Sequence, residues 1–237
     1  METRSLGAVL KAAVLAGLIA GAVAAGFHSL VTEPVIDRAI QIEEKLKPAT
    51  SGPTEEPVVS RRTQKAGLVL GLLLYGAIWG LLFGVFFYLT NSGQPAAWSI
   101  TKRGFFLALL MGWTVALFPF LKYPANPPGV GDAETIAYRQ WLYLGFMALS
   151  VIGTMSALKF QRLMSQRKRL AWLIVLPLYT LYLAMIYVAM PSDPDPVRMS
   201  SEIVWTFRAF SLAGVILFWG ILGGAFGGLC QERTRQL

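Results

Sequence analysis

Charge, cysteine and histidine are all scarce in this chain of 237 residues. Charged residues make up 14%, where soluble domains carry about 25%, and hydrophobic residues make up 55% with a mean hydropathy of +0.54. A composition of that kind places the chain in a lipid bilayer. The single cysteine, Cys230, excludes an intramolecular disulfide. The single histidine, His28, excludes a multi-histidine metal site built by this chain alone. The phosphate-cradling pattern GxxxxGK[ST] is absent, as is any other nucleotide-binding signature, so ATP hydrolysis is not expected here. An enzyme needs an acid, base or nucleophile gathered at one cleft. Cys230 and His28 fall toward opposite membrane faces, and no enzymatic role is expected.

What is present is long and apolar. Six stretches reach the roughly 20 apolar residues that a bilayer core requires: 6–30, 66–90, 104–121, 139–158, 170–190 and 206–229. The expected fold class is an all-α polytopic membrane helix bundle, one integral membrane domain over residues 1–237. The first stretch also carries the small residues Ala22 and Ala24 of a secretory signal, and its cleavage would leave five spans. Lys11 interrupts the apolar run that such a signal needs, so an uncleaved helix is expected. Apart from Lys11, His28, Arg139 and Arg208 near span ends, the only ionisable groups inside are tyrosines and Cys230. Proton coupling through intramembrane acids is therefore not expected. A channel-like or potential-driven route remains, since a dication gains about 4.6 kcal/mol on moving inward across 100 mV.

The formal charge of +8 comes from 21 Lys and Arg against 13 Asp and Glu. Most of the basic residues sit at span ends, where they orient helices and meet anionic head groups, so the lipid bilayer rather than nucleic acid is the expected partner. The loop KFQRLMSQRKR, with Lys159, Arg162, Arg167, Lys168 and Arg169, is expected in the cytoplasm. Alternation then puts both termini inside, with Arg4, Lys11, Arg233 and Arg235, together with the loop holding Lys102 and Arg103. Outside fall residues 31–65, the loop 122–138 and MPSDPDPVRMSSE. Glycines at four-residue spacing, Gly67, Gly71, Gly76, Gly80 and Gly84 in the second span and Gly220, Gly224 and Gly228 in the last, with Gly223 and Gly227 as an offset row, predict close helix packing inside the bundle.

Two outer segments carry chemistry. After the first span, GFHSLVTEPVIDRAIQIEEKLK predicts an amphipathic helix capped by Thr32 and lying on the outer face, with Ile36, Ile40 and the stem of Lys47 on one side and Glu33, Asp37 and Glu44 on the other. His28 with these carboxylates suits a borderline dication such as cobalt, nickel or zinc. The same residues also suit an ordinary solvated helix face. The second segment, KYPANPPGVGDAET, combines three prolines with Gly129 and Gly131. Prolines stiffen it, glycines open left-handed conformations, and Asp132 stands where it can cap the next helix. Asn126 and Asp132 can offer oxygen to a cation, or the segment can serve as a tight external turn.

FHSLVTEPVIDRAIQIEE, RRTQKAGLVLG and KYPANPPGVGD, taken in that order, resemble the CbtA family of predicted cobalt transporters. The resemblance covers the N-terminal two thirds, and the usual GDP of that family stands here as Gly131-Asp132-Ala133. It implies a multi-pass bacterial inner-membrane subunit of a cobalt uptake system linked to cobalamin synthesis. It also implies a small, single-span, histidine-bearing partner, CbtB, and a homo-oligomer is compatible with it. Cobalt(II) is then cargo rather than a permanent cofactor. On this reading the expected metal donors are His28, Glu33 and Asp37, with Asn126 and Asp132 behind them. A non-transporting accessory subunit that binds a protein partner is the alternative.

Overall fold

The computed structural model describes residues 5–46, 59–91, 98–164, 168–197 and 199–235. Six helical stretches in it are long and apolar enough to cross a membrane. They coincide with the six stretches expected from hydropathy. Eight α-helices build them: α1 (Leu6–Phe27), α2 (Glu33–Leu46), α3 (Arg61–Asn91), α4 (Ile100–Gly112), α5 (Phe118–Lys122), α6 (Ile136–Leu163), α7 (Lys168–Ala189) and α8 (Ser201–Arg235). Among the described residues all regular structure is helical. Serine opens three of these helices in the same way: the hydroxyls of Ser5, Ser60 and Ser99 accept the backbone N–H of Ala8, Thr63 and Lys102 at 3.2–3.3 Å, satisfying a donor that the first turn leaves free.

The first span differs from expectation at its end. α1 passes through a π-helical turn, His28–Thr32, directly into α2, with no residue leaving the helix. Thr32 therefore caps nothing. Its side chain is buried and its hydroxyl bonds His28 instead. The amphipathic segment is thus a continuation of the span. Its deeply buried apolar residues are Val35 and Ala39, with Ile36 and Ile40 only half-buried. Lys47 and the linker 47–58 lie outside the described residues, as does Arg167.

The helices group into two compact units. The first comprises residues 1–112, 127–129 and 199–237, the second residues 113–126 and 130–198. The third span passes from one to the other between Gly112 and Trp113.

In the first unit, α1 lies against α3 and α8, and α4 against α8. Small residues set these distances. A Cβ placed on Gly17 would meet the carbonyl of Gly76, and one on Gly76 would meet the carbonyl of Gly17. Gly80 and Gly84 continue that contact along Ala13. Gly67 and Gly71 meet nothing within 4 Å among the described residues, so only part of the glycine row in α3 packs there. In α8 the offset pair does the work: Gly223 meets Ala108 and Phe105 and Gly227 meets Thr101, whereas Gly220, Gly224 and Gly228 meet nothing within 4 Å among the described residues. Lipid offers apolar side chains no reason to hide from it, so close backbone approach supplies the association.

The second unit is built on aromatic packing. Phe118, Phe146, Leu183 and Ile186 form its core, bordered by Trp113, Tyr123, Leu149, Tyr179, Tyr182 and Met190.

Candidate functional site

In the first unit, Glu33 and Asp37 stand four apart on α2, and Arg61 and Lys65 four apart on α3, so each pair shares a helix face. The pairs meet. Arg61 Nη2 donates to Glu33 Oε2 at 2.7 Å and to Asp37 Oδ1 at 2.6 Å, while Lys65 Nζ lies 2.9 Å from Asp37 Oδ2 and 3.6 Å from Glu33 Oε2. Gln64 Oε1 accepts from Arg61 Nη1 at 2.6 Å. The Glu33 side chain is only 8% exposed. A carboxylate so deep must be paired, and two cations against two anions leave the cluster neutral. Glu44, expected on the same stripe, is exposed.

His28 stands at the start of the π turn. Its Nδ1 lies 2.9 Å from Thr32 Oγ1, its ring meets Phe27 edge-on, and its Nε2 side faces Gly214 of α8, where any Cβ would collide with it. The half-buried imidazole thus fits into a space that only glycine leaves.

In the second unit the stretch 130–139, which ends the proline–glycine segment, is held by an aspartate that sequence reading missed. Asp195 Oδ2 accepts the Asp132 N–H at 2.9 Å, the Thr135 hydroxyl at 2.7 Å and Arg139 Nε at 3.0 Å, with its side chain 3% exposed. The Thr135 hydrogen bond above all, then the Asp132 N–H and the Arg139 charge, hold its carboxyl below the usual aspartate range against the opposing effect of burial. Gly131 adopts φ +98°, and a Cβ there would lie 2.7 Å from the Arg139 guanidinium and 2.8 Å from the Asp195 carboxylate. Gly129, which groups with the first unit, also uses the left-handed region, at φ +79°. Asp132 precedes a short 3-10 turn, Ala133–Thr135, but its carboxylate makes no capping bond and is exposed. Its backbone, rather than its side chain, ties the loop. Asn126 lines a cleft of about 600 Å³ together with Tyr123, Val130, Arg139, Gln140 and Asp193.

Of the expected donors, the structure brings Glu33 and Asp37 together, with Arg61 and Lys65 between them. His28 bonds Thr32, and Asn126 and Asp132 belong to the second unit. Among the described residues no three His, Cys, Asp or Glu side chains gather as a metal cage.

Residues 6–231 match the family described as probable cobalt transporter subunit (CbtA). The chain belongs to the CbtA family. Neither the curated proteins nor the solved structures give a match. For this CbtA chain the family and the helices together establish a multi-pass membrane protein of a cobalt transporter subunit family. Arg61 and Lys65 were legible as partners of the CbtA carboxylates only in retrospect, through the matching four-residue spacing of the two pairs. Nothing in MPSDPDPVRMSSE singled out Asp195 over Asp193.

Proposed function

We propose that this chain is the membrane subunit of a cobalt(II) uptake system that collects the ion on the outer face of the bacterial inner membrane for cobalamin synthesis. The observation that carries the reading is the Glu33–Asp37 pair, two carboxylates held by side chains that a metal can replace. Arg61 and Lys65 together carry the charge of one dication. Exchanging them for the ion leaves the buried Glu33 neutralised throughout, whereas simply removing them would strand its charge. His28, five residues before Glu33, is the nitrogen donor nearest in sequence, and a borderline dication favours nitrogen beside oxygen. In the second unit, Asn126 and Asp132 are secondary oxygen donors. A CbtB-like, histidine-bearing single-span partner supplies the further nitrogen that one histidine cannot. The distribution of basic residues supports cytoplasmic termini and an outer location for residues 31–65 and 122–138.

The test is initial-rate uptake of labelled cobalt at nanomolar concentration in a bacterium without its own cobalt importers. The strains express the chain alone, the chain with the small partner, and the Glu33→Gln variant with that partner. Uptake requiring the chain and falling about tenfold in the variant, the effect expected when one charge-assisted contact is lost, supports the reading. Unchanged uptake in Glu33→Gln at normal membrane levels removes the carboxylate pair from it. One observation favours a second reading. The four charges also satisfy one another completely, as in a structural tie between α2 and α3, which suits a non-transporting subunit that holds a protein partner. In that case no strain takes up cobalt.

A further inference from the structure

The cleft of the second unit carries opposite charges that the transport reading does not use. Ile136, Arg139, Gln140, Tyr143 and Leu144 recur at intervals of three and four, so they lie along one face of α6, and all five line the cleft. Tyr123 and Asp193 line it as well. The α6 face changes character along its length. Arg139 and Gln140 stand near the start of the fourth span, where a helix enters the bilayer, and Tyr143 and Leu144 follow one turn deeper, about 6 Å along the axis. Leu144 is 46% exposed, and a Cβ on the adjacent Gly145 would meet nothing within 4 Å among the described residues. The cleft is therefore polar toward the water and, on the α6 side, continuous with surface that faces lipid.

Arg139 is a donor fixed in advance. Its Nε meets Asp195 Oδ2 at 3.0 Å and the Thr135 hydroxyl at 3.2 Å, and its Nη2 donates to the Asp132 carbonyl at 3.1 Å, so the guanidinium plane is set before any ligand arrives. Among the described residues nothing accepts from Nη1, which leaves an N–H pair for an anionic oxygen. Asp195 already balances the Arg139 charge. Asp193 is then the uncompensated charge of the cleft: its Oδ1 accepts the Asp195 N–H at 3.1 Å, and no cation pairs with it among the described residues. A ligand suited to these walls carries an anionic oxygen for Arg139, a cationic nitrogen with N–H donors for Asp193, and an apolar part for the surface below. The cleft volume of about 600 Å³ lies in the range of small-molecule sites.

We propose that this cleft binds a phospholipid whose headgroup ends in a primary ammonium, with the phosphate at Arg139, the ammonium at Asp193 and an acyl chain along Tyr143 and Leu144. A choline headgroup keeps the positive charge but has no N–H to donate to the carboxylate, and a glycerol headgroup sets a net negative lipid against Asp193. A soluble zwitterion gains nothing from the Leu144 surface, which is why the lipid is the source assigned. The site stands whether or not the chain carries cobalt.

The test is native mass spectrometry of the full chain in detergent, titrated with phosphatidylethanolamine, phosphatidylcholine and phosphatidylglycerol of the same acyl chains. Phosphatidylethanolamine should be retained about twofold to fivefold more than either of the others, the effect of one partly exposed charge pair. Asp193→Asn should bring its ratio to phosphatidylcholine close to one. Asp193 is exposed, and asparagine keeps the oxygen that accepts the Asp195 N–H, so the substitution leaves the fold intact. The ratio is read within one preparation and does not depend on yield. Equal retention of the three lipids by the parent, or an unchanged ratio in Asp193→Asn, overturns the proposal. Soluble glycerophosphoethanolamine then distinguishes the source. Little displacement of phosphatidylethanolamine by an equal concentration of it supports the lipid, and displacement as complete as that by the lipid itself shows a site for free zwitterions and overturns the lipid assignment.

Discussion

At the residue scale, the contest at Glu33 and Asp37 is between cations. Arg61 contacts both carboxylates, and Lys65 stands at the more open side with its side chain 47% exposed. Removing a competing cation strengthens binding of the other. Lys65→Gln should therefore lower the cobalt concentration for half-maximal uptake about twofold to fivefold, the effect of weakening one partly exposed ion pair, as the concentration dependence of initial uptake will show. An increase in that concentration would count against metal exchange at the pair. Asp195 gives a pH dependence of defined sign. Its carboxyl is held below the ordinary value, mainly by the Thr135 hydroxyl, so its contribution is complete above the unfolded pKa near 4 and is lost as pH falls through the lower folded value. Melting of the solubilised protein should fall more steeply below pH 4 for the parent than for Asp195→Asn, which should start lower at neutral pH. That Glu33 and Asp37 share one helix face was legible in their four-residue spacing. Their partners were not, because Arg61 is 28 residues from Glu33 and nothing local states which helix it faces.

At the element scale, spacing reveals a row of glycines without saying which of them is used. Gly76 packs directly on Gly17 while Gly71 meets nothing within 4 Å. Gly76→Ala should force α1 and α3 apart and cost about 1–3 kcal/mol as an overpacked contact. Gly71→Ala should be neutral or stabilise by up to about 1 kcal/mol through helix propensity. Thermal melting of the two variants in the same detergent separates them, and equal losses would contradict the assigned α1–α3 interface. In α8 the same ambiguity had a different outcome, with the Gly223 and Gly227 row packed and the Gly220 row open. The rows differ by less than one turn, so only the position of α4 selects between them. The continuous helix from α1 into α2 was hidden for a related reason: Thr32 read as the cap of a fresh helix, but a π turn absorbs the break and keeps the backbone bonded.

At the scale of the whole molecule, orientation is a matter of summed charge. With Lys159 and Arg162 on the cytoplasmic side, cysteines placed at Asp132 and Ser192 should react with an impermeant thiol reagent in intact cells, and one at Lys159 only after permeabilisation. The reverse pattern would invert the proposed direction of collection.

Hydropathy and the count of basic residues are sums over neighbouring positions, so the sequence by itself determined the solvent, the six spans and the all-α class. Asp37 with Arg61, Thr114 with Thr154 and Asp132 with Asp195 are 24, 40 and 63 residues apart. Such pairs exist only once helices have been placed against one another by packing that no single segment encodes. Tertiary structure therefore decided which carboxylates share a cation and which glycines touch.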